Sequence, residues 1–237
     1  MKRLMTIIIL LCIWVRSSGQ PTAGTSGLLN TPSGDMLSDG TVIAGANYLP
    51  ENVTLQPRFD YNTFNYYIGM AFLPFMELGF RMILFRDPNN ELLHNQDRSL
   101  ALRVRVLKEN KFLPSMVLGG NDIYSTTVSG GSQYFKSVYI AGTKNFSAGN
   151  NILGITAGYA PARFSKSGFS GFFGGISFSP SFFRPFTVIA DYDTQNFNAG
   201  ASLLLFRHFF IYGSVSDFDQ VAGGIAFRLF PKGTKTP

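Results

Sequence analysis

Charge is scarce in this 237-residue chain. Asp, Glu, Lys and Arg together make up 14%, against about 25% in ordinary soluble domains. Cysteine is scarcer still, with a single residue at Cys12. No apolar run after residue 19 approaches the roughly 20 residues a membrane-crossing helix needs. Zinc-type Cys/His spacing is missing, as is a glycine-rich phosphate loop after a strand. No basic tract suits nucleic acid. These gaps exclude a zinc module, a nucleotide-binding α/β domain, a disulfide scaffold and a helical membrane bundle. Neither a cofactor nor a nucleic-acid partner is expected. Long soluble helices would want more Glu, Lys, Ala and Leu.

Aromatic and small residues fill the space that charge leaves, with 24 Phe and 25 Gly. Residues 1–19 have the pattern of a secretory signal. Lys2 and Arg3 form its basic end, Leu4 to Val15 its apolar run, and Ser17-Ser18-Gly19 its small-residue site. The run is about 12 residues, too short to span a bilayer as a helix. Cys12 lies inside it behind Leu11, where a lipoprotein signal wants a small residue, so no disulfide is expected after cleavage. Taking Lys2, Arg3 and Arg16 from the 20 basic residues leaves 17 against 14 acidic ones. The high isoelectric point is therefore partly the leader's doing.

From Gly40 onward the chain alternates with a period of two. Phe64, Tyr66, Ile68, Met70 and Phe72 alternate with Asn65, Tyr67, Gly69 and Ala71; Leu78, Phe80 and Met82 alternate with Glu77, Gly79 and Arg81. Each such run predicts a strand with one apolar face and one small or polar face. Twelve segments are counted, near 41–48, 60–72, 76–86, 98–108, 112–119, 134–144, 151–160, 168–178, 185–192, 196–206, 208–216 and 220–230. They run about ten residues, the length that crosses a bilayer when tilted, and their even number suits a single-chain bacterial barrel. Pro114 weakens the fifth. The connections near 49–59, 87–97 and 120–133 are long, while 73–75 and 109–111 are short, as outside loops and periplasmic turns differ. Residues 145–150 and 193–195 fit that rule less well. The fold class expected is a transmembrane antiparallel β-barrel of about 12 strands over 41–230, followed by a polar tail at 231–237. A secreted β-sandwich or jelly roll is the soluble alternative.

Ahead of the strands, residues 20–40 form a lead-in. Gly27 to Thr41 reads G-L-L-N-T-P-S-G-D-M-L-S-D-G-T. Pro32, Gly34 and Gly40 punctuate it, and Asn30, Ser33, Asp35, Ser38 and Asp39 are turn formers. Leu28, Leu29, Met36 and Leu37 need burial. Two readings are open: a lead-in packing its leucines on the first strands, or a plug inside the barrel.

This stretch, with Ala44-Gly45-Ala46-Asn47-Tyr48 after it, resembles the start of the YjbH-type proteins. Gly27, Leu28, Asn30, Thr31, Pro32, Asp39 and Gly40 carry the resemblance. Weaker likenesses follow at Phe72 to Gly79, at Asp97-Arg98-Ser99, at Leu113-Pro114-Ser115 and at Gly119 to Asp122. The family is linked to exopolysaccharide and capsule production in Gram-negative bacteria and to outer-membrane β-barrels. Longer members carry more than one such domain, and this chain has room for one. The resemblance implies location in the outer membrane after signal cleavage. It implies outer-membrane lipid, a surface polysaccharide and export-operon proteins as partners.

The site candidates are the inward-facing charges. Glu77, Arg81, Arg103 and Arg105 come from neighbouring strands and could form one luminal patch, with Tyr67 pointing the same way. Such a patch could hold an anionic or hydroxyl-rich glycan through Arg forks and a stacking ring, or it could be an ion-pair network bracing a narrow barrel. Asp191/Asp193 and Asp217/Asp219, at expected outside strand ends, could hold Ca²⁺ or be solvated loop carboxylates. His94 in an outside loop and His208 at a turn are the bases available to a lipid hydrolase, and neither has a Ser two residues away. The function expected is a non-enzymatic accessory in exopolysaccharide or capsule export or assembly. The alternatives are a small diffusion pore or structural barrel, and a lipid hydrolase.

Overall fold

Strands that are apolar on one face and polar on the other, with no second layer to cover either, can bury their polar face by closing on themselves. The computed structural model describes residues 23–54, 60–86, 92–124 and 133–231. The expected signal at 1–19 and all of the tail beyond Pro231 lie outside them. Twelve antiparallel strands close a barrel in sequence order. They are β1 (Val42–Leu49), β2 (Thr63–Phe72), β3 (Met76–Arg86), β4 (Leu93–Leu107), β5 (Ser115–Asn121) and β6 (Ser137–Ala148), then β7 (Asn151–Ala160), β8 (Gly171–Ser179), β9 (Phe186–Tyr192), β10 (Phe197–Leu205), β11 (Phe209–Ser216) and β12 (Gln220–Leu229). β1 closes the ring against β12, with Val42 opposite Leu229 and Tyr48 opposite Gly223.

The alternation sorts the two faces as the sequence predicts. On β2, Thr63, Asn65 and Tyr67 are buried inside, while Phe64, Ile68 and Phe72 are exposed outside. Ile176, Val188, Ile211 and Ile225 continue the apolar outer belt across β8 to β12. Among the described residues no helix is long and apolar enough to cross a membrane.

Several boundaries differ from expectation. β5 starts at Ser115, directly after Pro114, because proline cannot donate to the ladder. β6 runs on to Ala148, so Gly149-Asn150 is a tight turn and the expected loop from 145 shrinks to it. Glu109 helps to fix this end: the Asn145 backbone N–H donates to its Oε1 over 2.7 Å, and Lys144 lies 3.3 Å away. β4 starts early, at Leu93, so His94 and Asp97 belong to a strand and the loop before it is shorter than predicted. Phe206-Arg207 and Asp217-Phe218 take positive φ at both central positions of two-residue hairpin turns, the backbone sense that matches strand twist.

One end of the barrel carries the longer connections, between β1 and β2, β5 and β6, and β7 and β8. Leu49, Val53, Tyr61, Ile83, Phe135 and Ala222 pack together there. A second cluster, Tyr139, Ala141, Ala160, Phe169 and Phe173, fills the interior beside β6 to β8.

Candidate functional site

The lumen is occupied by the chain's own residues 23–40. Leu28 N–H donates to Thr31 O over 2.8 Å and Gly27 bridges Pro32, so this segment folds as a small hairpin with Leu29-Asn30 at its tip. Pro32 and the turn formers around it give the hairpin its bend. Leu28 and Leu29 are buried against Ile43, Tyr67, Ile189, Leu204, Phe210 and Tyr212, side chains from both sides of the β1–β12 seam. Gly40 N–H then donates to Ala71 O over 3.0 Å, feeding the chain into β1.

Two wall features hold the hairpin. At its base, Glu77 on β3 and Arg103 on β4 form a wholly buried ion pair of 2.8 Å. Glu77 also accepts from Ser26 N–H (3.0 Å), Ser26 Oγ–H (2.6 Å) and Leu37 N–H (2.6 Å). Arg103 donates to the carbonyls of Ser26 (2.6 Å) and Asp35 (3.1 Å), and to that of Ser33. One pair therefore staples both legs. Ser115 Oγ–H donates to Gly34 O over 2.7 Å, and Gly34 N–H to Thr143 Oγ1 over 2.7 Å.

At the tip, Asp191 on β9 accepts from the N–H groups of Leu29 (2.9 Å), Asn30 (2.9 Å) and Thr31 (3.2 Å), and from Thr31 Oγ1–H (3.2 Å). Its other oxygen accepts from Asn198 Nδ2 over 2.9 Å. Three successive backbone donors around one carboxylate form a nest. Asp193 accepts from the Asn30 side-chain amide and from Asn198 Nδ2 (3.0 Å), while its Oδ1 caps the turn through Gln195 and Asn196 N–H. The Asp191/Asp193 pair considered for Ca²⁺ is thus engaged by amide and hydroxyl donors. Asp217 accepts from Phe197 N–H over 2.9 Å. Among the described residues no cluster of His, Cys, Asp and Glu has metal-holding geometry.

The other sequence candidates are placed unevenly. Arg81 faces inward, donates to Ser99 Oγ over 3.2 Å, lies 4.4 Å over the Phe135 ring and faces Asp97 and Asp122. Asp122 lies just past the end of β5; burial pushes its carboxyl up to about 6, although it accepts a bond from Phe135 N–H. Tyr67 points inward but is covered by the hairpin: a Cβ on Gly24 would lie 2.9 Å from it. Arg105 does not join the patch. The register shifts between Arg105 and Leu107, and its guanidinium donates to Pro74 O at the exposed β2–β3 turn. A cavity of about 60 Å³ beside Thr25, Asn30, Arg81 and Asn121 has room for a few waters. His208 Nδ1 lies 2.7 Å from Arg228 O, with its ring stacked on Phe227. The side chain of His94 lies outside the described residues.

Sequence reasoning missed Asp191 and Asn198 as hairpin anchors. The available signal was parity. Asp191 shares its face with Thr187 and Ile189, which are buried, so it points inward at a strand end and not into a loop.

No curated protein matches the chain. A family model described as exopolysaccharide biosynthesis protein YbjH matches residues 20–228. That match spans most of the chain, from before the luminal hairpin into β12, and so this protein belongs to the YjbH family.

Proposed function

We propose that this protein is an outer-membrane β-barrel that serves, without catalysis, in the export or assembly of an exopolysaccharide. The observation that carries the reading is the closed twelve-strand wall, apolar outside and polar inside, in a chain whose family is described by exopolysaccharide biosynthesis. Closed barrels suit bilayers because every backbone group is paired around the ring. Outer-membrane lipid would contact the belt of Ile68, Ile176 and Ile211. A surface polysaccharide and the products of an export operon are the partners proposed. The filled lumen favours a gated or assembly role over a permanently open diffusion pore.

Deleting the gene in the native host is expected to lower surface exopolysaccharide. Expression of the full chain should restore it, and the protein should fractionate with the outer membrane as a band that shifts on boiling. Unchanged exopolysaccharide in the deletion strain would overturn the role. A soluble protein with no shift would overturn the location.

A further inference from the structure

We infer that residues 23–40 occupy, in exchangeable form, a luminal track built for an uncharged polyhydroxyl chain, and that acidic glycans are excluded from it. This rests on the exopolysaccharide reading and adds the class of glycan to it.

Glu77, Arg103 and Asp191 meet the hairpin through its backbone N–H and C=O groups and the hydroxyls of Ser26 and Thr31. These are neutral donors and acceptors, closely spaced. A hydroxyl both donates and accepts, so a polyol can replace them bond for bond. Beneath Leu28 and Leu29 lie the rings of Tyr67, Phe210 and Tyr212, an apolar shelf of the kind a sugar face can cover. Two buried atoms near that shelf, Tyr212 Oη and Asn47 Oδ1, have no hydrogen-bond partner among the described residues. Buried polar groups are normally satisfied, and the hairpin does not satisfy these. A Cβ on Gly224 would meet both side chains, at 2.0 Å from Asn47 Oδ1 and 2.7 Å from the Tyr212 ring, so the two face one spot.

The charge of the lumen selects against acidic chains. The buried arginines among the described residues are Arg81, Arg103 and Arg228. The buried carboxylates are Glu77, Asp97, Asp122, Asp191 and Asp193, a formal excess of negative charge. Arg103 is committed to Glu77 at 2.8 Å, and Arg81 faces Asp97 and Asp122. Arg228 lies 4.9 Å over the Phe210 ring. An acidic sugar that turned to Arg81 or Arg103 would have to take the arginine from its carboxylate, leaving that carboxylate buried and alone, which is strongly unfavourable. Low-dielectric walls sharpen the repulsion.

The strand ladders do not run through residues 23–39: each strand pairs with its neighbours, and β1 pairs with β12 from Val42 to Tyr48. Displacing the hairpin therefore breaks no strand-to-strand hydrogen bond.

The test is hydrogen exchange on the full chain in detergent, followed at the amides of Ser26, Leu29, Asn30, Thr31 and Leu37. A neutral glucan oligosaccharide and an oligogalacturonate of equal length are added separately. Glucan at a hundred times its dissociation constant for the vacated track should raise exchange at these amides about 100-fold by displacing the hairpin. Oligogalacturonate should leave it unchanged. Equal or greater acceleration by oligogalacturonate, or none by either, overturns the inference. Unchanged exopolysaccharide in the deletion strain would defeat the export role while leaving these lumen measurements intact, so the two failures are distinguishable.

Discussion

The smallest unit that matters here is one ion pair. Glu77 and Arg103 are fully buried 2.8 Å apart and serve both legs of the hairpin. Removing one partner strands a charge, so Glu77→Ala and Arg103→Ala should each cost about 3–5 kcal/mol. The double variant should cost less than the sum, since the two share one network. Denaturant unfolding in micelles, followed by the heat-shifted band, measures all three; additive losses would show that the two side chains act separately. Sequence parity alone puts both residues on the inner face of adjoining strands. It also puts Tyr67 and Arg81 there. Arg105 keeps that parity, opposite the buried Val117, but it lies near the end of β4, where its long side chain reaches the β2–β3 turn and not the patch. What the pair grips was not legible. Hydrogen bonds to the backbone of a segment dozens of residues away leave no periodic trace.

At the level of strands and turns, the twelve segments counted from alternation correspond to the twelve strands, with ends moved by a few residues. The larger shifts have local causes. Proline delays β5, and a Gly-Asn turn lets β6 run longer. Glycines within the strands read as one type in sequence but differ in space. A Cβ on Gly200 of β10 would sit 2.2 Å from Gly213 O on β11, whereas a Cβ on Gly213 meets nothing within 4 Å. Gly200→Ala should therefore destabilise by about 1–3 kcal/mol through overpacking. Gly213→Ala should stay within about 0.5 kcal/mol of the parent. Parallel unfolding titrations decide this, and equal effects at the two positions would contradict the strand spacing described.

For the molecule as a whole, the outer belt and the inner hairpin divide the work. If the belt faces lipid, Ile68→Arg at mid-strand should cost about 2–4 kcal/mol in folding into vesicles. In water, an exposed residue changed this way should have little effect, so a cost near zero would argue for the soluble alternative. Barrel closure follows from the composition: few charges, many aromatics and an even set of short strands. The interior occupant was legible only as a choice between two readings, because Leu28 and Leu29 announce that they need burial without saying where.

The hairpin leads directly into β1, and β1 meets its last neighbour, β12, across the full width of the chain. Neighbouring strands can pair as soon as both exist, but this final seam joins the most distant parts and is entropically the costliest to form. Leu28 and Leu29 touch Ile189, Leu204 and Phe210 as well as Ile43 and Tyr67, so they lie across that seam from the inside. The segment is thus placed as a mandrel would be: its leucines offer the first strands and the last a common apolar surface at the seam, which favours its closing.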